Sequence, residues 1–317
     1  MTRVAAVDCG TNSIRLLIAD LDTDGAAPRL KDVVREMRVV RLGQGVDATG
    51  ELAPEALDRT FAAAADYAGQ IHAHGATRVR FVATSATRDA NNRQIFVDGI
   101  RELLGVEPEV ITGDEEAALS FAGASSVLPS RGADPVLVVD LGGGSTEFVL
   151  GNADGVIAAK SVDIGCVRMT ERHLRSDPPT AEQIAAAEAD VDAALEVAAR
   201  TVPLDRSAAV VGVAGSITTI TAHALALPEY SAAAIHGSEL SLDAVRRACT
   251  ELLAMTHAER AALPYMHPGR VDVIGAGALI WRTINNRVNE LTAGRVNGAT
   301  ASEHDILDGI AMSAARG

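Results

Sequence analysis

The stretch VLVVDLGGGSTEFVLG, Val136–Gly151, is an apolar run broken by an aspartate, three glycines and a serine, then resumed by a second apolar run. Two such segments around a glycine-rich break read as strands joined by a tight turn. Glycine admits positive φ and lets the main chain approach a ligand closely, and successive N–H groups in such a turn form a concave anion site. Taken alone, the stretch is an ordinary β-hairpin. It is not alone: VAAVDCGTNSIRLLIADLDTDG, Val4–Gly25, follows the same template, and setting Asp8 over Asp140 brings Gly10 onto Gly142 and Ser13 onto Ser145 without a gap. A device repeated in register predicts two related domains whose hairpins face one ligand.

A chain of 317 residues exceeds the size at which a single core keeps growing, which also points to two domains. Its net charge of −14 disfavours nonspecific binding to nucleic acid or to an anionic membrane, so an anionic ligand has to be held by a local cluster against the overall field. Lysine occurs only at Lys31 and Lys160. Phosphate would therefore be bound by arginine and backbone N–H groups. Cys9, Cys166 and Cys249 are scattered without CxxC spacing, which fits reduced, buried thiols in a cytoplasmic protein. The eight histidines show no HExxH spacing and read as structural. No basic-then-apolar leader precedes the first strand, so no secretory signal is expected. The uncharged stretch Ser207–Pro228 is interrupted by Gly212, Gly215, Ser216 and His223, and reads as strand, glycine loop and helix rather than a membrane segment.

Along the first half, KDVVREMRVVRLG reads as a further strand pair, Pro54 opens an alanine-rich helix, and RVRFVATSATRDA is a strand leading into a loop. NRQIFVDGIRELLG is an amphipathic helix stopped by Gly105. PEVIT is a short strand, and GDEEAALSFAGA is a helix with acidic residues in its first turn. In the second half GVIAAKSVDIGCVRM is a strand, and a long helix starts at Thr180 with Gln183 in capping-box spacing. AAVVGVAGSITTITA is strand, glycine loop and helix, and GRVDVIGAGALIWRTI has the same outline. Domain I is expected over 1–118, completed by a C-terminal helix at about 299–317, and domain II over 119–298.

The segments AAVDCGTNSIRLLIAD, TSATRDA, TGDEEA, VVDLGGGSTEFVLG, GCVRMTE and GVAGSITTITA occur in the order found in the exopolyphosphatase and guanosine pentaphosphate phosphohydrolase family, within the actin, sugar kinase and heat-shock ATPase-like superfamily. The chain resembles that family over essentially its whole length, and looks closest to its short members without an extra C-terminal domain. GDEEA together with DLGGGSTE is the specific part, whereas Arg15 departs from the pattern. The resemblance implies an α/β fold of two duplicated actin-like, ribonuclease H-like domains with an interdomain cleft. It also implies release of terminal orthophosphate from inorganic polyphosphate, and a homodimer. Guanosine pentaphosphate or other nucleotides are the alternative substrates. A small-molecule kinase or ATPase of the same superfamily, and a nonenzymatic actin-like scaffold, are competing readings; no GKS or GKT phosphate loop occurs.

Hydrolysing a phosphoanhydride means placing water in line with phosphorus and neutralising charge on its oxygens. The loops Gly10, Thr11, Asn12, Ser13 and Gly142, Gly143, Gly144, Ser145 would supply N–H donors, with Gly215 and Ser216 as further phosphate contacts. Asp140 and Glu147, at the two ends of the second loop, suit one hard cation, Mg²⁺ with Mn²⁺ as the alternative, and Asp8 would assist. Each also has a plain structural reading, as a turn-stabilising aspartate and a strand residue. Glu116 matches the family's base as the second glutamate of EEA, with Glu115 next in line; first-turn acidic residues are otherwise commonplace. Arg15, Arg88, Arg93 and Arg168 are phosphate-clamp candidates. Arg88 leads because it follows a strand, and is taken into the catalytic set with both glutamates. Short polyphosphates are expected, since the chain ends directly after its closing helix and a charge of −14 leaves few cationic contacts for distal phosphates.

Overall fold

The computed structural model describes residues 2–22, 29–127 and 134–314. The chain divides into two compact units, Met1–Gly123 with Ile306–Gly317, and Ala124–Asp305.

In the first unit β1 (Thr2–Cys9), β2 (Ser13–Asp22) and β3 (Arg29–Val39) form an antiparallel meander. After the short helix α1 (Val46–Thr49) and α2 (Pro54–Ala73), β4 (Arg78–Ala83) pairs parallel to β1. Helices α3 (Ser85–Asp89) and α4 (Arg93–Leu104) lead to β5 (Glu109–Val110), parallel to β4, and then to α5 (Gly113–Gly123). The sheet order is β3-β2-β1-β4-β5. Strand alternation sends side chains to two faces. Ala5, Val7, Leu16 and Ile18 meet Leu57, Tyr67 and Phe96 of α2 and α4. Val4, Ala6, Leu17 and Ala19 meet Leu119 of α5 and Ile306, Leu307 and Ile310 of the last helix, α13 (Ile306–Ser313). With both faces covered, β1 is buried from Val4 to Cys9, which is why it reads as a continuous apolar run.

The second unit repeats the plan. An antiparallel meander of β6 (Val136–Leu141), β7 (Thr146–Asn152) and β8 (Gly155–Val162) is followed by α6 (Cys166–Arg172) and α7 (Ala181–Ala199). The strand β9 (Ala209–Val213) pairs parallel to β6 and runs into α8 (Gly215–Ala224). Then come α9 (Ala232–Ile235), β10 (Glu239–Ser241), α10 (Leu242–Ala254), α11 (His257–Ala261), α12 (Ile274–Leu291) and β11 (Gly298–Ala301), which is parallel to β9. Read from the meander edge, the order β8-β7-β6-β9-β11 matches that of the first unit, with β10 added antiparallel at the far edge. Two sheets with one strand order and one orientation pattern make this a duplicated, actin-like α/β fold.

Five expectations change. Cys166–Met169, expected in the strand GVIAAKSVDIGCVRM, opens the helix α6, and the strand itself ends at Val162 as β8. KDVVREMRVVRLG is a single strand, β3, because Val40 and Arg41 N–H donate to the Asn12 carbonyl and the chain stops at the first hairpin instead of doubling back. TSATR is not open loop but the five-residue helix α3. GRVDVIGAGALI has no strand. Gly275 and Gly277 lie in the first turn of α12, where a Cβ on Gly277 would come within 2.9 Å of Ser216, so Gly277 serves close helix approach. Ala299–Ala301, expected in the closing helix, lies in β11; a Cβ on Gly298 at the start of this strand would stand 2.3 Å from the Leu240 carbonyl oxygen, a strand-to-strand approach that only glycine permits. The Thr180–Gln183 capping box forms at α7. No helix among the described residues is long and apolar enough to cross a membrane.

Candidate active site

In each unit the loops that matter follow the C-terminal ends of parallel strands, where open α/β sheets bind ligands. The two hairpin turns are built alike. Gly10 N–H donates to Ser13 O at 3.0 Å and Gly142 N–H to Ser145 O at 3.1 Å, with Asp8 opposite Arg15 and Asp140 opposite Glu147 in the ladders.

The second turn is fixed from behind by α6. Cys166 N–H donates to Gly142 O at 3.0 Å, Val167 and Arg168 N–H to Gly143 O at 2.9 and 3.2 Å, and Arg168 Nε to Gly144 O at 2.7 Å. A trans peptide sets each carbonyl opposite the next N–H. The N–H groups of Gly143, Gly144 and Ser145 are therefore turned away from α6, three donors in succession, an arrangement that favours an anion. Gly165 makes this possible: a Cβ there would lie 2.3 Å from Gly143 O and 2.5 Å from Gly144 N. The first turn uses different props for the same end. Gly43 N–H donates to Thr11 O at 2.8 Å, and Val40 and Arg41 N–H to Asn12 O at 3.0 and 2.8 Å, which turns the Asn12 and Ser13 N–H groups the other way. The Thr11 and Ser85 hydroxyls share a hydrogen bond of 2.9 Å, tying the turn to α3.

The third glycine loop follows β9. Ala214 holds φ 71° and ψ 166°, a region that is nearly glycine-only, to swing the chain from strand into α8. A Cβ on Gly215 would fall 1.7 Å from Arg270 Nη2, so this guanidinium lies on the bare backbone at the start of α8 and adds its charge to the helix N-terminus. Ser216 is buried beneath α12. Burial pushes the Cys166 thiol up, which keeps it inert beside these loops.

Asp140 and Glu147 face each other across β6 and β7, both buried, at 6% and 1% exposure. Opposite residues of an antiparallel pair share a face with Cβ atoms about 5 Å apart, so two carboxyl groups are held together out of solvent. Ser161 Oγ donates to Glu147 Oε1 at 2.7 Å and orients that carboxylate. Two buried, facing carboxylates are a donor set suited to a hard divalent cation that keeps several waters. Among the described residues no group of three or more His, Cys, Asp and Glu gathers around a metal position. In the first unit the geometry at the matching position is different: Arg15 donates to Asp8 Oδ2 from Nε at 2.9 Å and from Nη2 at 2.6 Å.

The glutamates of EEA part company. Glu116, buried on α5, accepts from Arg88 Nη1 at 3.0 Å, and the same nitrogen donates to Ile111 O at 3.1 Å. Glu115 is exposed and accepts from Arg80 Nη2 at 2.6 Å. Arg93 stands exposed at the first residue of α4, and the Arg88–Glu116 pair is made without it. The structure thus joins Arg88 with Glu116, Asp8 with Arg15, Thr11 with Ser85, and Asp140 with Glu147. Sequence reasoning missed Gly165, whose motif was read as strand, and Arg270, which carries no periodic signal and is marked only by the Pro268–Gly269 turn before it.

Residues 18–313 match the model of the Ppx/GppA phosphatase family. The chain is 54% identical over 320 residues to exopolyphosphatase 2 of Mycobacterium tuberculosis, covering 99% of each. Among solved structures it is similar to an exopolyphosphatase-like protein, with TM-score 0.92 and 48% identity over 98% of this chain and 97% of that one. An exopolyphosphatase from Cytophaga hutchinsonii aligns with TM-score 0.86 and 26% identity over 98% of this chain and 97% of that one. With a family match over residues 18–313 and a relative 54% identical over 99% of each chain, the chain belongs to the Ppx/GppA phosphatase family.

Proposed function

We propose that the chain is an exopolyphosphatase, a phosphoanhydride hydrolase that releases terminal orthophosphate from inorganic polyphosphate. The observation that carries this reading is the Gly142–Ser145 loop, whose N–H groups are turned out beside two buried, facing carboxylates. Backbone donors take phosphate oxygens, and the carboxylate pair takes the cation that accompanies them.

Asp140 and Glu147 would hold Mg²⁺, or Mn²⁺ in its place. When bound there, the cation would neutralise phosphoryl charge. The Gly10–Ser13 and Gly142–Ser145 loops bind phosphate oxygens through N–H groups, and Gly215 with Arg270 adds a guanidinium and a helix N-terminus. Glu116 acts as base, accepting the proton of the attacking water as its oxygen bonds to phosphorus, while the anhydride P–O bond breaks and the remaining polyphosphate leaves with the electron pair. Arg88 orients the Glu116 carboxylate through its hydrogen bond.

Glu116→Gln keeps the shape and removes the base, and is expected to lower turnover about 10²–10⁴-fold while polyphosphate still binds. Near-normal turnover in that variant would remove Glu116 from the mechanism.

One feature favours guanosine pentaphosphate as a second substrate. Tyr230, 43% exposed, has its hydroxyl fixed to Thr218 Oγ1 at 2.8 Å and Glu303 Oε1 at 2.7 Å, one turn along α8 from the Gly215 loop. Such an anchored ring suits stacking of a nucleobase. Competition between guanosine pentaphosphate and polyphosphate, with a Tyr230→Ala control, tests it.

A further inference from the structure

Two arginines from one short segment grip the first turn of α5 from opposite sides. Arg80, on β4, donates through Nη2 to Glu115 Oε1 at 2.6 Å and to Glu109 Oε2 at 2.6 Å, through Nε to Glu109 Oε1 at 3.0 Å, and through Nη1 to Ser313 Oγ at 2.7 Å. Arg88, on α3, holds Glu116 and the Ile111 carbonyl. Thr112 Oγ1 accepts from Glu115 N–H at 3.2 Å at the start of the helix. Adjacent residues on a helix project about 100° apart, so Glu115 and Glu116 cannot serve one group. Arg80 is the larger hub: only 16% of its side chain is exposed, and its partners come from β5, α5 and α13, so it fixes α5 against three elements at once.

We infer that Arg80 is a positioning residue for Glu116: by drawing Glu115 to one side and locking the first turn of α5, it sets the direction of the Glu116 carboxylate and keeps the Glu115 charge off it. This rests on Glu116 being the base. Its consequences are geometric and electrostatic. A shift of about 1 Å in a catalytic group costs on the order of 100-fold in rate. Losing the Arg80 charge leaves Glu115 uncompensated one residue away, and a nearby like charge favours the protonated form of a carboxylate. The other charged groups on the elements around Glu116 include Arg78 on β4, Arg88 and Asp89 on α3, Glu109 on β5, Asp114 on α5 itself, and Asp308 on α13, the last held by Arg35 of β3 at 2.6 and 3.2 Å. Glu109 shares Arg80 with Glu115.

The test is steady-state kinetics against pH for Arg80→Met, Arg80→Lys and the double variant Arg80→Met with Glu115→Gln, beside Glu116→Gln, each checked for folding by circular dichroism and a thermal melt. Arg80→Met is expected to lower kcat about 10- to 100-fold with KM changed less than about threefold, and to move the acid limb of kcat/KM to higher pH. Arg80→Lys should recover part of kcat. Removing the Glu115 charge in the double variant should return the acid limb toward its original position. A folded Arg80→Met enzyme with unchanged kcat and an unmoved acid limb overturns the inference, as does a double variant that leaves a shifted limb where it was. If Arg80→Met does not fold, Arg80→Gln, which also removes the charge but keeps a polar side chain, carries the same decision, a wild-type kcat and limb counting against the inference. Should Glu116→Gln stay active, the proposed base is wrong. Should it be inactive while the Arg80 variants behave as wild type, only the positioning role fails.

Discussion

At the level of single residues, the glycines and acids of the hairpins were legible because both signals are local. An aspartate at a strand end, glycines in the turn and a serine three residues on can be read without tertiary knowledge. Arg270 and Arg80 were not legible: each gains its meaning from a partner far away in sequence, Gly215 for one and Glu109, Glu115 and Ser313 for the other. Ala214 is the clearest strained residue, at φ 71° and ψ 166° in the turn that presents Gly215. Ala214→Gly should raise stability by about 1 kcal/mol, seen as a higher denaturation midpoint at unchanged slope. A destabilised Ala214→Gly protein would mean that the Ala214 methyl contributes more by packing than the backbone loses in strain. Gly165→Ala places a methyl where the Gly143 carbonyl oxygen lies 2.3 Å away. Its expected outcome is a displaced phosphate loop, read as a KM for polyphosphate raised about 10-fold or more at lower stability.

Among elements, long strands and helices with period-2 or period-3.6 patterns were readable, and short or glycine-bearing ones were not. β10 and β11 have three and four residues, too few to show a period. The glycines at the start of α12 read as a loop, whereas in the structure they are helical and Gly277 packs on Ser216. The join between α5 and α13 depends on one glycine as well. A Cβ on Gly309 would meet Leu119 O at 2.1 Å and Leu119 Cα at 3.0 Å. Gly309→Ala should therefore push α13 off α5, destabilise the protein by about 1–3 kcal/mol, and lower turnover because α5 carries Glu116. Gly105→Ala is the matched control. It caps α4 at φ 69° with nothing within 4 Å of the added methyl, so it should cost only the backbone strain, about 1 kcal/mol, and leave turnover unchanged. Equal effects of the two substitutions on turnover would separate α13 packing from the active site.

For the whole molecule, the duplication was the most legible feature, because one template recurs in register at Asp8 and Asp140 and the two sheets then share their strand order. The same alignment sets Arg15 over Glu147, and the structure shows what that difference does: the first unit pairs Asp8 with Arg15 and the second sets Asp140 opposite Glu147. The metal proposal belongs to that asymmetry: Asp140→Asn should raise the Mg²⁺ concentration needed for half-maximal activity and weaken Mn²⁺ binding measured directly by about 10-fold or more, and an unchanged Mn²⁺ affinity would remove Asp140 from the ligand set. With a net charge of −14 the binding of a polyanion depends on the few cationic groups at the loops, so short polyphosphates should be cut distributively. The most direct test of the central claim is phosphate release from polyphosphate of defined length in ¹⁸O-labelled water with Mg²⁺, comparing the native protein with Glu116→Gln. The predicted result is orthophosphate carrying one new ¹⁸O per cleavage, a ladder of chains shortened one phosphate at a time, and loss of both with Glu116→Gln. Polyphosphate left intact by the folded, Mg²⁺-supplied protein, or phosphate released without ¹⁸O, would contradict it.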